Sequence, residues 1–306
     1  MSPSGTIQVA NAPCSWGVLE LDGVQTTVDY RQVLNEISET GYVGTELGDW
    51  GFMPTDPDAL YEALFSFGLR VMAAFVPVRL ADPATHSEGV RTALRTAKLL
   101  ASVHESPFIV LADDNGTDAT RTGHAGRILP EHGMSEEQWG HFVHGAEEIA
   151  RVTLAETGVR TVFHAHGAGY VETPDELDTF CARTDPDLVG LCFDTGHYAF
   201  GGGDPVAGIR RHLDRIWHVH FKDCHPDVHG QVRDEGLDYF EAVKAGVFCE
   251  LGLGSVDFPG VLAALQERDW SGWIVVEQDV LPGMGTPYQS ASRNRDYLDN
   301  LGLSQW

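Results

Sequence analysis

Cysteine and positive charge are both scarce in this chain. Its five cysteines (Cys14, Cys181, Cys192, Cys224 and Cys249) are scattered and form no C-x-x-C pair. That argues against a disulfide scaffold or a thiolate zinc knuckle and fits reduced intracellular thiols. Lys and Arg number 20 against 45 Asp and Glu, a formal net charge of −25. Such a surface repels a phosphate backbone and an anionic bilayer, so neither nucleic acid nor a membrane is an expected partner. No apolar run approaches spanning length, and Met1–Ala10 lacks a charged segment leading into an apolar one. The expected location is therefore the cytoplasm. The glycine-rich phosphate loop G-x-G-x-x-G is also missing. Gly201-Gly202-Gly203 follows a strand-like run without that spacing, which counts against an open dinucleotide-binding sheet.

The apolar share, 42% of 306 residues, suffices for a sizeable core. Strand-like runs begin near residues 7, 42, 69, 107, 160, 188, 215 and 272, with helical patterns between them. The helices are expected over about Thr27–Glu39, Pro57–Phe67, Ser87–Ser102, Ser135–Thr157, from Thr173, Asp204–His212, Asp257–Arg268 and Gln289–Asn300. Ser135-Glu136-Glu137-Gln138 and Thr173-Pro174-Asp175-Glu176 are capping boxes. Asp56-Pro57 and Asp204-Pro205 place an N-cap before a proline at the first helical position. Residues 115–133 read as a long irregular loop, and 223–250 as an interruption with one short helix near Asp238–Ala245. Several helices meet the next strand across a single glycine, the signature of parallel strands with right-handed crossovers. Eight such units in one domain over residues 1–306 predict a (β/α)₈ TIM barrel.

The strand-like runs end in groups that can hold a metal. The fifth ends at His164-Ala165-His166, the sixth at Asp194-Thr195-Gly196-His197, the seventh at His218-Val219-His220-Phe221-Lys222-Asp223, and the eighth at Glu277. Glu46 and Asp113 end the second and fourth. Residues two apart on a strand share a face, so His164 with His166, and His218 with His220 and Lys222, point together. A buried charge is costly unless paired or coordinated. Asp194, His220 and Glu277 are thus a candidate metal triad. One imidazole with two carboxylates suits Mn²⁺, Co²⁺, Fe²⁺ or Zn²⁺ better than Mg²⁺ or Ca²⁺.

These pieces, with Gly41-Tyr42-Val43-Gly44-Thr45-Glu46, Gly252-Leu253-Gly254-Ser255-Val256-Asp257-Phe258 and Trp273-Ile274-Val275-Val276-Glu277, resemble the xylose isomerase-like sugar isomerases, epimerases and dehydratases. His164-Ala165-His166-Gly167, Thr184–Val189, Phe200–Pro205 and Ala242–Phe248 look most like the inosose (2-keto-myo-inositol) dehydratases. The resemblance implies metal ligation by Asp194, His220 and Glu277, with a fourth ligand, normally glutamate, at the end of strand five. Here His164 stands at that place and Glu172 follows eight residues on. Either His164 replaces the carboxylate, the preferred assignment, or Glu172 swings in; otherwise Glu172 is placed with the substrate-binding groups. By resemblance, His166 and His197 contact substrate hydroxyls. Lys222 either stabilises an enolate or pairs with Asp223 or Glu277, and Glu46 is a candidate base or a hydrogen-bonded anchor. Trp16 and Trp50 are candidates for an apolar wall under a sugar ring. The implied activity is metal-dependent dehydration of an inosose through an enediolate. The alternative is isomerisation or epimerisation of a ketose or sugar phosphate through the same intermediate. The implied partner is a small polyol or keto-sugar, and self-association into a homo-oligomer stays open.

Overall fold

The computed structural model describes residues 6–18, 28–281 and 284–304. Eight parallel strands close into a barrel: β1 (Ile7–Asn11), β2 (Gly44–Glu46), β3 (Arg70–Val78), β4 (Phe108–Asp113), β5 (Arg160–His164), β6 (Val189–Asp194), β7 (Ile216–Phe221) and β8 (Gly272–Val276). Each strand pairs with its neighbours in sequence, and β8 closes the ring by aligning Ile7 with Gly272 through to Asn11 with Val276. The expected barrel is the observed one, and all eight strand-like runs fall on its staves.

Alternation along the strands sorts the side chains. Ala10, Met72, Val110, Val162, Cys192 and Val275 pack together as a small inner core. Val9, Val71, Ile109, Leu111, Phe163, Leu191, Val219 and Ile274 belong to the larger layer between strands and helices. The registers place His164 opposite Cys192, Asp194 opposite His220, and Val275 opposite His220. The candidate metal ligands of β5, β6 and β7 therefore stand at the carboxyl ends of neighbouring strands.

The surrounding helices start where capping chemistry supplies acceptors for their free N–H groups. Asp29, Asp56, Ser135, Thr173, Asp204 and Asp257 each accept from the first turn of the helix they precede. The first helix runs Tyr30–Glu39; its expected start at Thr27 lies outside the described residues. Two loops carry more structure than their composition suggests. The stretch 115–133 contains a helix over Ala119–His124 and a 3₁₀ turn over Pro130–His132. The stretch 223–250 contains two helices, Pro226–Glu235 and Tyr239–Lys244, and a two-residue antiparallel ladder joining Asp223–Cys224 to Phe248–Cys249. Tyr239–Lys244 is the short helix expected near Asp238–Ala245; Ala119–His124 and Pro226–Glu235 each bury one side chain, Arg121 and Val232, too few to leave a readable period. A further short helix, Thr195–Phe200, starts directly at the end of β6, with the Asp194 carboxylate accepting from His197 N–H at 2.8 Å.

Candidate active site

His164, Asp194, His220 and Glu277 each offer a donor atom within 4.8 Å of all the others. His220 Nδ1 lies 3.3 Å from Glu277 Oε2 and 3.8 Å from Asp194 Oδ2, and His164 Nε2 lies 3.5 Å from the same Asp194 oxygen. The groups are buried, yet both nitrogens of His164, Asp194 Oδ2 and His220 Nδ1 have no hydrogen-bond partner. Buried polar atoms are nearly always satisfied. A cation held between these residues would satisfy the converging lone pairs at once. Two imidazoles and two carboxylates suit a transition ion rather than Mg²⁺ or Ca²⁺.

Charge within this cluster is already biased. Burial alone would raise the Glu277 carboxyl, but His220 and Lys222 hold it well below the usual carboxylate range. Burial and Lys222 compete in the same way at Asp194, where the cation wins. On the far side, Glu46 Oε1 accepts from His218 Nε2 at 2.8 Å and from His220 Nε2 at 3.0 Å. Those imidazoles overcome its burial and hold Glu46 down at about 2. Since Nε2 of His220 is engaged by Glu46, Nδ1 is the nitrogen left facing Asp194 and Glu277. A carboxylate behind a histidine is a common device for orienting a metal ligand.

Lys222 is buried beside the cluster. Its Nζ lies 3.1 Å from both Asp279 oxygens, 3.2 Å from Glu277 Oε2 and 3.0 Å from His197 Nε2. Burial opposes the charge, yet Asp279, Glu277 and Asp194 keep its pKa well above the usual lysine value. The stem of Lys222 passes so close to Gly196 that a Cβ there would sit 2.6 Å from its Cγ. Only glycine admits it. The expected partner Asp223 is turned away: its carboxylate accepts from the N–H groups of Cys224, Gly252, Gly254 and Val256 and so folds the neighbouring loop.

The rings of His166 and His197 lie 3.8 Å apart between their centroids, tilted by 38°. His166 Nδ1 faces the carbonyl of Gly167 at 2.7 Å. A carbonyl only accepts, so Nδ1 carries the proton and Nε2 the lone pair. Burial, with His164 and Lys222 nearby, pushes His166 down to about 3, and His197 is lowered by burial and His166. Both are neutral.

The cleft above these groups encloses about 740 Å³ of space, part of it open to solvent. Glu46, His164, His166, Lys222, Glu277 and Asp279 line it, with Phe75 and Tyr239 as its aromatic walls. Two expectations from sequence are corrected here. Trp16 and Trp50 do not line this cleft: Trp16 is buried and donates to Glu36 at 2.6 Å, and Trp50 stacks under Arg95 in a separate groove. Glu172 is not in the cluster either. Its two oxygens accept from Gly126 N–H at 2.7 Å and Ala168 N–H at 2.9 Å, tying two loops together. Asp113 does similar work for Leu80 and Tyr170. Sequence reasoning missed Asp279, Phe75 and Tyr239, and it gave no separate role to His218, which it placed on one face with His220 and Lys222. Asp279 had a signal, lying two residues beyond Glu277 at the same strand end. Tyr239 had none, because it arrives from the 223–250 insertion.

Comparison with known proteins agrees with this fold. An inosose dehydratase of Geobacillus kaustophilus (strain HTA426) is 33% identical over 96% of this chain and 94% of its own. The rhizopine catabolism protein MocC of Rhizobium meliloti is also 33% identical, over 98% of this chain and 90% of its own. Among solved structures, the probable 3-DHS dehydratase AsbF of Bacillus anthracis superimposes with a TM-score of 0.71 at 13% identity, over 96% of this chain and 99% of that one. A structure of the IOLI protein with a zinc atom gives 0.70 at 16% identity, over 96% and 97%. At such identities the solved structures speak for the fold alone. The family model described as xylose isomerase-like TIM barrel matches residues 34–301, nearly the whole barrel with β2 to β8, and on that match the chain belongs to this family.

Proposed function

We propose that the chain is a metal-dependent hydro-lyase that removes water from an inosose (2-keto-myo-inositol) by way of an enediolate. The observation that carries the reading is the convergence of unpartnered atoms of His164, Asp194 and His220 with the Glu277 carboxylate, which lies beside the buried Lys222 ammonium. The similarity to a named inosose dehydratase, 33% over nearly the full length of both chains, selects the substrate. His164, Asp194, His220 and Glu277 would hold the ion, with Mn²⁺ or Co²⁺ preferred and Zn²⁺ or Fe²⁺ compatible with the donor set. Such an ion polarises the substrate ketone and an adjacent hydroxyl as a Lewis acid.

The protein's own groups supply the rest. His166 offers its Nε2 lone pair to the proton on the carbon next to the ketone, since Nδ1 is committed to Gly167. Lys222 puts a fixed positive charge at the wall where oxyanion character grows, without reorganisation during the reaction. The electron pair released from the C–H bond forms the enediolate and then expels the β-hydroxyl. The proton taken by His166 can be returned to that hydroxyl, so the sum is substrate to enone plus water. Glu46 is better suited to orienting His220 than to carrying protons, because two imidazoles hold it at about 2. The free state of all five cysteines supports a reducing, cytoplasmic setting.

Incubation of the metal-loaded protein with inosose, followed by NMR and mass spectrometry, tests the proposal. A product lighter by one water supports it. A same-mass product, from inosose or from a panel of ketoses, would replace dehydration by isomerisation or epimerisation.

A further inference from the structure

On the outer layer, among the helices, His86, His144 and Glu148 bring one donor atom each within 4.8 Å of one another. His86 opens the helix His86–Val103; the other two lie on the helix Glu136–Thr157, four residues apart and so on one face. His144 Nε2 and Glu148 Oε2 are 3.8 Å apart, and the His86 and His144 rings are 6.0 Å apart between centroids. His86 is buried, whereas His144 and Glu148 are open to solvent. None of the three lines the central cleft.

The orientation of His86 sets this cluster apart from a chance surface pair. Its Nε2 faces the Leu80 carbonyl at 2.9 Å. The carbonyl can only accept, so Nε2 bears the hydrogen and Nδ1 is left with its lone pair. A histidine ligand whose second nitrogen donates to a backbone carbonyl is the usual arrangement in metal sites. The ring lies flat against the second helix because residue 145 is glycine; a Cβ there would approach His86 Nε2 to 2.6 Å. One side chain is thus buried and held by a carbonyl, and two are exposed to solvent.

We propose that His86, His144 and Glu148 form a second, peripheral site for a divalent transition cation of the Zn²⁺, Co²⁺ or Ni²⁺ class, with water completing the coordination. Two imidazoles and one carboxylate favour these ions over Mg²⁺ and Ca²⁺. Occupancy would clamp the start of one helix to the middle of another and stabilise the folded protein by mass action.

The test is a zinc titration of chelator-stripped protein at pH 7.5, with bound metal read after equilibrium dialysis. His144→Ala and Glu148→Gln are solvent-facing changes, and each is expected to bind one equivalent fewer than wild type. His141→Ala is the control. His141 and Glu137 are also an exposed pair four residues apart, at 4.0 Å, but they have no third ligand among the described residues, so this variant should match wild type. Zinc should also raise the melting temperature of Glu148→Gln less than that of wild type. Equal stoichiometry in wild type and both site variants would overturn the proposal, as would an equal loss in His141→Ala. The reading depends on a difference of one equivalent, so it stands or falls independently of what the central cluster binds.

Discussion

Glu46 and His220 meet across the barrel, Oε1 to Nε2 at 3.0 Å, and this contact decides which nitrogen of His220 faces the cluster. Glu46 comes from β2 and His220 from β7, so the orientation depends on barrel closure and on no local motif. Glu46→Gln keeps the shape but can present an amide N–H to His218 or His220, both of which already donate. The expected result is a ~10–100-fold weaker hold on the metal, the usual effect of losing such a supporting carboxylate. Competition with a chelator measures it. Unchanged metal affinity with lost exchange of the substrate's α-proton would instead make Glu46 the base.

The fourth ligand can be settled by pairing two variants. His164→Ala should lose metal readily, because it removes one of the four converging donors. Glu172→Gln should keep its metal and lose stability by about 1–3 kcal/mol, since a backbone N–H at Gly126 or Ala168 is left without its acceptor. Metal content and urea unfolding read the two effects separately. Metal loss in Glu172→Gln with full retention in His164→Ala would reverse the assignment.

Glu172 also makes the protein's stability depend on pH. Burial pushes its carboxyl up to about 7, against the pull of the Ala168 and Gly126 N–H groups. The folded state therefore holds a proton that the unfolded chain releases near the ordinary glutamate value. Its contribution is complete below that ordinary value and disappears as pH rises through about 7. Roughly 3 kcal/mol is the most it can supply, at ~1.4 kcal/mol for each pH unit between the unfolded and folded values. In metal-free protein, the unfolding free energy of wild type should fall more steeply from pH 5 to 7 than that of Glu172→Gln. Parallel profiles would refute it. Asp113, also pushed up to about 7 by burial, is present in both proteins and cancels in the comparison.

The candidate metal cluster was legible in the sequence because its members end successive strands, and strand ends are marked by abrupt changes from apolar to charged residues. The barrel was legible for the same reason, with capping residues punctuating the helices. Tyr239 and Phe75 were not: what brings them to the cleft is the path of an insertion and the pleat of β3, not a local signal. Trp16, Trp50 and Glu172 misled in the other direction. A large aromatic or an acid near a strand end is equally suited to packing or to fastening loops, and only three-dimensional neighbours such as Glu36, Arg95 and Gly126 distinguish these uses.

Lys222 and Asp279 permit a sharper separation of structure from chemistry. Asp279 engages the ammonium with both oxygens at 3.1 Å, and the pair is buried. Removing one partner of a buried pair leaves an uncompensated charge and typically costs ~3–5 kcal/mol, while replacing both with apolar groups is often neutral. Lys222→Met should therefore be unstable and nearly inactive, which by itself reveals little. The double variant Lys222→Met with Asp279→Leu should recover most of the lost stability. If Lys222 stabilises the developing oxyanion, turnover in the double variant stays down by ~10²–10³-fold, the usual effect of losing such a donor, while metal content is unchanged. If Lys222 serves only as a counter-ion that holds the strand ends together, turnover returns with stability. Thermal unfolding, metal content and kcat, measured on the wild type, the single variant and the double variant, separate the two outcomes. Recovery of both stability and kcat would remove Lys222 from the chemistry.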